Sequence, residues 1–339
     1  MDYQVSFLMM CYKQERFVRD SVRSVLAQDL AGIEIIISDD CSPDRTYNIL
    51  QEECRRYSGP NHVIIRRTKK NLGINSHMTE LVGMAKGRLI VLGAGDDIAR
   101  KDKASMIFNR WNSTNALVFG CCPEVIDEQG QVIGSFYSAG IPEKFTCRAI
   151  IKRRNAGIFI SGFDREIFDM FGPLGEGATE DQVIPFRGAL MCENGVDIIK
   201  EPLVLYRAHP ESQVTALRFA KEKRPLEVLR SKIITSMLLY CSWLADLRTI
   251  KSEGTQLLYE EEKILINGLC FVEAMNKVVN ERTLIHRIFI VMKGVGSGAI
   301  SMGHLLQAFF FAISPAFCAR VLDWFVRNFI YRKRHERGI

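Results

Sequence analysis

Residues 5–40 read VSFLMMCYKQERFVRDSVRSVLAQDLAGIEIIISDD, and their pattern decides the fold class. Val5–Met9 is an unbroken apolar run. Arg16–Gln28 then sets Phe17, Val18, Val22, Val25 and Leu26 at helical spacing. Ile33–Ser38 is a second run, dense in β-branched residues, and it stops on Asp39-Asp40. Apolar runs without alternation are strands covered on both faces, so strand–helix–strand of this kind predicts a mostly parallel α/β sheet. His62–Arg67, Leu89–Gly93 and Ala116–Cys122 extend it, and Val125–Val132 predicts a hairpin around Asp127-Glu128-Gln129-Gly130. Ser42-Pro43 predicts a helix start, with Ser as N-cap and Pro at the first helical position.

The chain has 339 residues, 47% hydrophobic and 25% charged, enough for a large domain and a smaller one and against disorder. After about residue 220 helical periodicity replaces strand signals, in Leu226–Leu247 and Gln256–Val279. The charged, Pro-ended break Lys221–Pro225 divides an α/β domain, residues 1–220, from a helical region, residues 221–339. Residues 294–319 lack Asp, Glu, Lys and Arg, but four Gly and three Ser dilute them too far for a membrane span. Arg320, Asp323, Arg327 and Arg334 then form one helical stripe. Phe317, Val321, Leu322, Phe325 and Phe329 fall largely opposite, which predicts a helix lying on a membrane surface; the plainer reading is a core helix packed on the α/β domain with a solvated basic end. Net charge is +6, and the last twenty residues, with six Arg/Lys against two Asp/Glu, hold +4 of it. Charge confined to a tail argues against nucleic acid as a partner. The ten cysteines show no C-x-x-C or zinc spacing and read as reduced thiols. The N-terminus lacks a basic start and a long apolar core, so no signal peptide is expected and the reading is cytoplasmic.

Chemistry concentrates at strand ends, where ligands bind in open α/β sheets. Asp39-Asp40 ends the second run, Asp96-Asp97 follows Gly93-Ala94-Gly95, and Glu180-Asp181 follows the Gly-rich GPLGEGAT. Each pair repels itself unless a cation, a donor-rich ligand or a raised pKa relieves it. Asp96-Asp97 is the best metal candidate, because magnesium takes one or two carboxylates plus substrate phosphates; the plainer reading is a cap on a helix over Ile98–Trp111. Either Glu180 or Asp181 can serve as a general base at a helix start, or simply match its dipole. Arg207 and His209 end an extended run, Asp197–Tyr206, and can face phosphate. Tyr12 can stack on a base or pack in the core. His62 and His77 carry no motif and read as incidental. G-x-G-x-x-G after the first strand, a P-loop and a nucleophile elbow are all missing.

From Val5 to about His209 these blocks, in order, resemble family 2 glycosyltransferases. The opening run resembles that family's first strand, S-[IV]-L-x-Q helix and D-D-x-S-x-D-x-T turn. NLGINSHMTELVGMAKGRLIVLGAGDD resembles its N-x-G segment and acidic motif, TEDQVIPFRGAL its E-D motif, and LYRAH its Y-R-x-H end. His77-Met78 stands where the family has Ala-Arg, and Gly-Asp-Asp where Asp-x-Asp is common. The resemblance implies a GT-A fold and inverting transfer from a nucleoside-diphosphate sugar, a UDP-sugar first, to a glycan hydroxyl. It implies a polyprenyl-linked acceptor in bacterial surface-polysaccharide synthesis, on the inner face of the membrane. It implies that Asp40 contacts the base, that Tyr12 borders it, and that Asn71 lines the nucleotide pocket. Asp97 and Asp96, with His209, would hold Mg²⁺ or Mn²⁺ on the diphosphate, with Arg207 nearby. Asp181 would be the catalytic base, and the Gly172–Gly177 stretch a closing loop. A sugar nucleotidyltransferase would need a Gly-rich, Arg-bearing loop where Met10-Cys11-Tyr12-Lys13 stands. A non-catalytic glycan- or membrane-binding protein on a degenerate transferase fold would not need the acidic pairs.

Overall fold

Strand β1 (Val5–Cys11) runs through the middle of a seven-stranded sheet, buried on both faces. In the computed structural model, which describes residues 3–136, 145–153, 156, 158–175, 177, 179–210, 225–252, 259–296, 300, 308 and 311–315, β1 pairs in parallel with β2 (Glu34–Asp39) and β4 (Leu89–Ala94). β2 pairs in parallel with β3 (His62–Arg67). Helix α1 (Val18–Leu26) buries Val18, Val22 and Val25 on the sheet. Its opposite face sends Arg19 and Arg23 to Glu53 of α2 (Thr46–Arg55), with Arg23 Nε 2.7 Å from Glu53 Oε2. Residues Val5, Phe7 and Met9 join Ile35, Ile37, Leu89 and Val91 in one core cluster. Continuous apolar strands are therefore explained by cover on both sides.

The sheet continues beyond β4 through β9 (Phe159–Asp164), β6 (Val118–Cys121) and β10 (Val196–Ile199), in the order β10-β6-β9-β4-β1-β2-β3. β9 runs antiparallel between β4 and β6 and carries no expectation from sequence. Its FISGFD mixes apolar with Ser and Gly, which masks a strand signal. Gly162 is required there: an added Cβ would lie 2.6 Å from the Ile90 carbonyl of the neighbouring strand. A second sheet has the order β5-β11-β7-β8, from β5 (Ile98–Ala99), β7 (Glu124–Ile126), β8 (Val132–Ser135) and β11 (Val204–Arg207). β7 and β8 form the expected hairpin. The remaining helices of this part are α3 (Ile74–Met84), α4 (Lys103–Ser113), α5 (Cys147–Arg153), α6 (Glu166–Phe171) and α7 (Glu180–Met191).

Three expectations need correction. The helix after β2 starts at Thr46, because Ser42 Oγ instead accepts the Lys13 N–H at 3.0 Å and Asp44 Oδ1 accepts the Thr46 N–H at 3.0 Å. Residues 98–99 are a strand, and the helix waits until Lys103, so Asp97 caps nothing. The run 197–206 breaks into β10 and β11, which join different sheets.

The chain divides into two compact units, Met1–Ala216 and Leu217–Ile339. In the second, α8 (Pro225–Ser252), α9 (Tyr259–Asn280) and α10 (Leu284–Gly296) follow one another. α8 and α9 pack together, burying Trp243, Leu247, Leu265 and Val278. Gly268 of α9 lets the Tyr240 ring approach; a Cβ there would sit 2.7 Å from its Cζ. Leu226–Ile250 is long and apolar enough to cross a membrane by length and composition, with mean hydropathy 1.2. The stretch 211–224, the basic helix expected over residues 320–334, and most of 297–319 lie outside the described residues.

Phe163 is fully buried on β9 and stacks on Phe168 at 5.4 Å. Phe163→Ala should lower the urea-derived unfolding free energy by about 3–5 kcal/mol.

Candidate active site

The carboxyl ends of β1, β2 and β4 open on one cavity of about 640 Å³, within the usual range for small-molecule sites. The chain leaves β1 and β2 with two non-glycine residues in left-handed backbone, Lys13 (φ 56°) and Cys41 (φ 58°). Such strain costs on the order of 1–3 kcal/mol per residue and collects where a site needs a sharp exit. Hydrogen bonds hold the exits: Tyr12 N–H to Gln14 Oε1 at 3.0 Å, and Asp40 N–H to the Cys11 carbonyl at 2.8 Å. Tyr12 is left 39% exposed on the cavity wall.

Asp40 is buried at this end. Its carboxylate accepts the N–H groups of Leu72 (2.9 Å) and Gly73 (2.9 Å) and the Thr68 hydroxyl (3.0 Å). Asn71 also lines the cavity, and its Oδ1 accepts the Gly73 N–H at 3.0 Å. Asp40 thus shapes the turn that carries Asn71 and starts α3. His77, read as incidental from sequence, lies one helical turn further on and also lines the cavity. Its Nε2 is 2.7 Å from Ser38 Oγ, and burial lowers its pKa.

Asp96 and Asp97 follow β4 but face different surroundings. Asp96 keeps 16% of its side chain exposed, with Oδ2 3.1 Å from His209 Nε2. Asp97 is buried, and its Oδ1 accepts the Arg207 N–H at 3.0 Å. Burial first, then the neighbouring Asp96, pushes the Asp97 pKa well up. Arg207 is buried as well. Its guanidinium donates to the carbonyls of Asp96 (3.1 Å), Asp127 (3.3 Å) and Glu128 (3.0 Å) and lies 4.9 Å from the Phe17 ring. It therefore braces the acidic turn from behind, and His209 reaches the cavity only through Asp96. Lys103, which sequence reasoning missed, is buried on the cavity wall with Nζ 2.6 Å from the Leu92 carbonyl. Burial lowers its pKa to about 8. Gly95 admits this crowding, since a Cβ there would lie 2.9 Å from Cys11 Sγ.

Glu180 and Asp181 open α7, rather than preceding it, and both face the same cavity. Burial and the charge of Asp181 raise the Glu180 pKa to about 7; burial raises that of Asp181 as well. Across from them, Phe136, Phe159 and Tyr206 pack edge to face with centroids 5.2–6.0 Å apart, an apolar wall that sequence reasoning also missed. The Gly-rich stretch is anchored where described: buried Arg187 Nη1 donates to the Gly172 carbonyl at 2.8 Å, and Asn75 Nδ2 to that of Gly175 at 2.7 Å. Asp40, Asp96, Asp97 and Asp181 thus share one cavity, with Arg207 and His209 behind it. Among the described residues, no group of three His, Cys, Asp or Glu side chains converges as a cation cage.

Residues 6–168 match the family model described as Glycosyl transferase family 2. An uncharacterized protein of Mycobacterium tuberculosis is 32% identical over 94 residues, 27% of each chain. The match thus spans about a quarter of the length of the first curated relatives. An Escherichia coli protein named UDP-Glc:alpha-D-GlcNAc-diphosphoundecaprenol beta-1,3-glucosyltransferase is 26% identical over 171 residues, 50% of this chain and 64% of its own. Among solved structures, residues 1–349 of S. aureus TarS in complex with UDP-GlcNAc align with TM-score 0.53 and 15% identity, over 92% of this chain and 91% of that one. The two share a fold.

The folded-state pKa of Glu180, about 7, lies above its ordinary 4.5, so the folded chain keeps a proton that the unfolded chain releases between those values. Stability from this group is present below about 4.5 and is lost as pH rises through about 7. Glu180→Gln should flatten the fall in thermal midpoint across that window and raise the midpoint relative to wild type at pH 8.

Proposed function

We propose, for a chain whose residues 6–168 match the model of glycosyl transferase family 2, that it moves a sugar from a nucleoside-diphosphate sugar to a hydroxyl of a lipid-linked glycan, with inversion at the anomeric carbon. The observation that carries this reading is the single cavity on which the Asp96-Asp97 turn and Glu180-Asp181 both open. A uridine diphosphate sugar is the first donor to consider. The Escherichia coli relative's name pairs UDP-Glc with a diphosphoundecaprenol-linked acceptor, and TarS holds UDP-GlcNAc on the same fold. By the same analogy the acceptor is a polyprenyl-linked glycan in surface-polysaccharide assembly.

In this reading Tyr12, Asp40 and Asn71 form the nucleotide end of the cavity. Asp96 is the outward carboxylate and Asp97 the one behind it. Two carboxylates beside a diphosphate fit a hard divalent cation such as Mg²⁺ or Mn²⁺, which completes its shell with phosphate oxygens. When bound, the cation would offset charge on the leaving diphosphate. Asp181 accepts the proton of the acceptor hydroxyl as that oxygen attacks the anomeric carbon from the face opposite the diphosphate. The bond from that carbon to the diphosphate oxygen breaks, and the nucleoside diphosphate leaves. Burial raises the Asp181 pKa and so brings it closer to the operating pH, which favours a general base. The wall of Phe136, Phe159 and Tyr206 suits the apolar face of a sugar ring.

Residues 1–220 would be the catalytic domain and residues 221–339 a helical region. Its basic, aromatic end would rest on the inner face of the cell membrane, where a lipid-linked acceptor is found.

Asp181→Asn should lower the rate of sugar transfer about 10²–10⁴-fold, with UDP affinity measured by calorimetry little changed. Transfer at the wild-type rate would remove Asp181 from the mechanism. Deleting residues 305–339 should move the protein from the membrane to the soluble fraction in sedimentation assays.

A further inference from the structure

Helix α10 is apolar on two sides, and the packing of its unit uses only one of them. Arg287, Val291 and Gly294 recur at i, i+4 and i+7 on the inner side. Val291 is fully buried, and Gly294 is approached so closely that an added Cβ would lie 2.7 Å from Ile300 Cδ1. Arg287 Nε donates to the Glu281 carbonyl at 2.8 Å, which ties the start of α10 to the turn after α9. Ile285, Phe289 and Met292 recur at the same spacing on the opposite side, where they are 80%, 63% and 55% exposed. Single exposed apolar residues are ordinary, but a contiguous stripe of them on one helix marks a contact site.

The charges around this stripe indicate what it meets. Lys293, four residues after Phe289, borders it and is exposed, and Arg282 is exposed just before the helix. Residues 282–322 include Arg282, Arg287, Lys293 and Arg320 but no Asp or Glu. Glu281, the nearest acid, is engaged locally: its Oε1 accepts the N–H groups of Arg282 at 2.7 Å and Thr283 at 3.2 Å. An apolar stripe bordered by cations complements anionic groups lying over an apolar layer, which is the surface of a bilayer. A second copy of this chain fits less well, because a symmetric contact would bring two cationic borders together. With 13 residues α10 is about 20 Å long, short of a hydrocarbon core of about 30 Å, so it would lie along a membrane and not cross it.

We propose that the face of α10 formed by Ile285, Phe289 and Met292 is a membrane-docking surface that beds among the headgroups of an anionic bilayer. This contact is separate from that of the basic tail. It needs neither donor nor acceptor, so its failure would leave the sugar-transfer reading standing.

The test is co-sedimentation of the full-length protein with two kinds of vesicle, one of phosphatidylcholine and phosphatidylglycerol in equal parts, the other of phosphatidylcholine alone. The wild type should partition more strongly onto the anionic vesicles. Ile285→Gln combined with Phe289→Gln should lower that partition about tenfold or more, with the tail intact. Both side chains are exposed, so the thermal midpoint should stay at the wild-type value. Lys293→Gln should lower partition about fivefold on the anionic vesicles and leave it unchanged on phosphatidylcholine. Val132→Ser, at an exposed apolar position on β8, should change neither. Wild-type partition in the double variant would overturn the proposal, as would a wild type that binds both vesicles equally or neither. A solution mass of two chains that falls to one in the double variant would assign the face to a second copy and overturn it too.

Discussion

The attachment of Arg207 to the Asp96-Asp97 turn is the contact around which the site is arranged. Its backbone N–H reaches the Asp97 carboxylate, and its guanidinium reaches the Asp96 carbonyl. Arg207 ends a strand of the small sheet, and Asp96-Asp97 follows a strand of the large one. One residue thus joins the two sheets where the cavity opens. The other guanidinium bonds go to Asp127 and Glu128 and tie the hairpin turn to the same point. Three carbonyls accept from Nε and Nη1 of this buried guanidinium without consuming a carboxylate. Asp96 therefore keeps its partly exposed place beside His209.

The same geometry explains the electrostatics. The cavity gathers five carboxylates, Asp40, Asp96, Asp97, Glu180 and Asp181, and burial disfavours a charged carboxylate. Asp97, Glu180 and Asp181 all have raised pKa values, with desolvation the largest cause. Lys103 answers from inside, its ammonium bonded to the Leu92 carbonyl and its own pKa lowered by burial. Groups with opposed shifts around one cavity are common where chemistry is done. The proposed transfer needs that contrast, because its donor would bring a diphosphate and its acceptor would have to lose a proton.

The resemblance to family 2 glycosyltransferases was legible because its motifs lie at strand ends, and strands are marked by apolar runs. β3 was read to the residue, and β1, β2 and β4 to within a few. The acidic pairs stood out because like charges side by side need relief. Less legible was anything whose meaning lies across the chain. β9 joins the sheet antiparallel, and its Gly162 reports a close approach to Ile90 that no local pattern encodes. His77 looked incidental because Ser38, its partner, is 39 residues away. Lys103 carried no signal in the sequence, and only the fold buries it.

The sequence alone determined the α/β class, the succession of β1, α1, β2, β3 and β4, and the positions of the acidic pairs. Those follow from periodicity and from residue chemistry read one segment at a time. Tertiary structure decided how deeply each carboxylate is buried at the cavity, which basic groups support them and which side chains close the walls. Asp96 and Asp97 are adjacent in sequence, yet one is partly exposed and the other is buried on the Arg207 backbone. That difference arises because successive residues in a tight turn point in different directions, and only the packing of two sheets around the turn decides which direction is solvent.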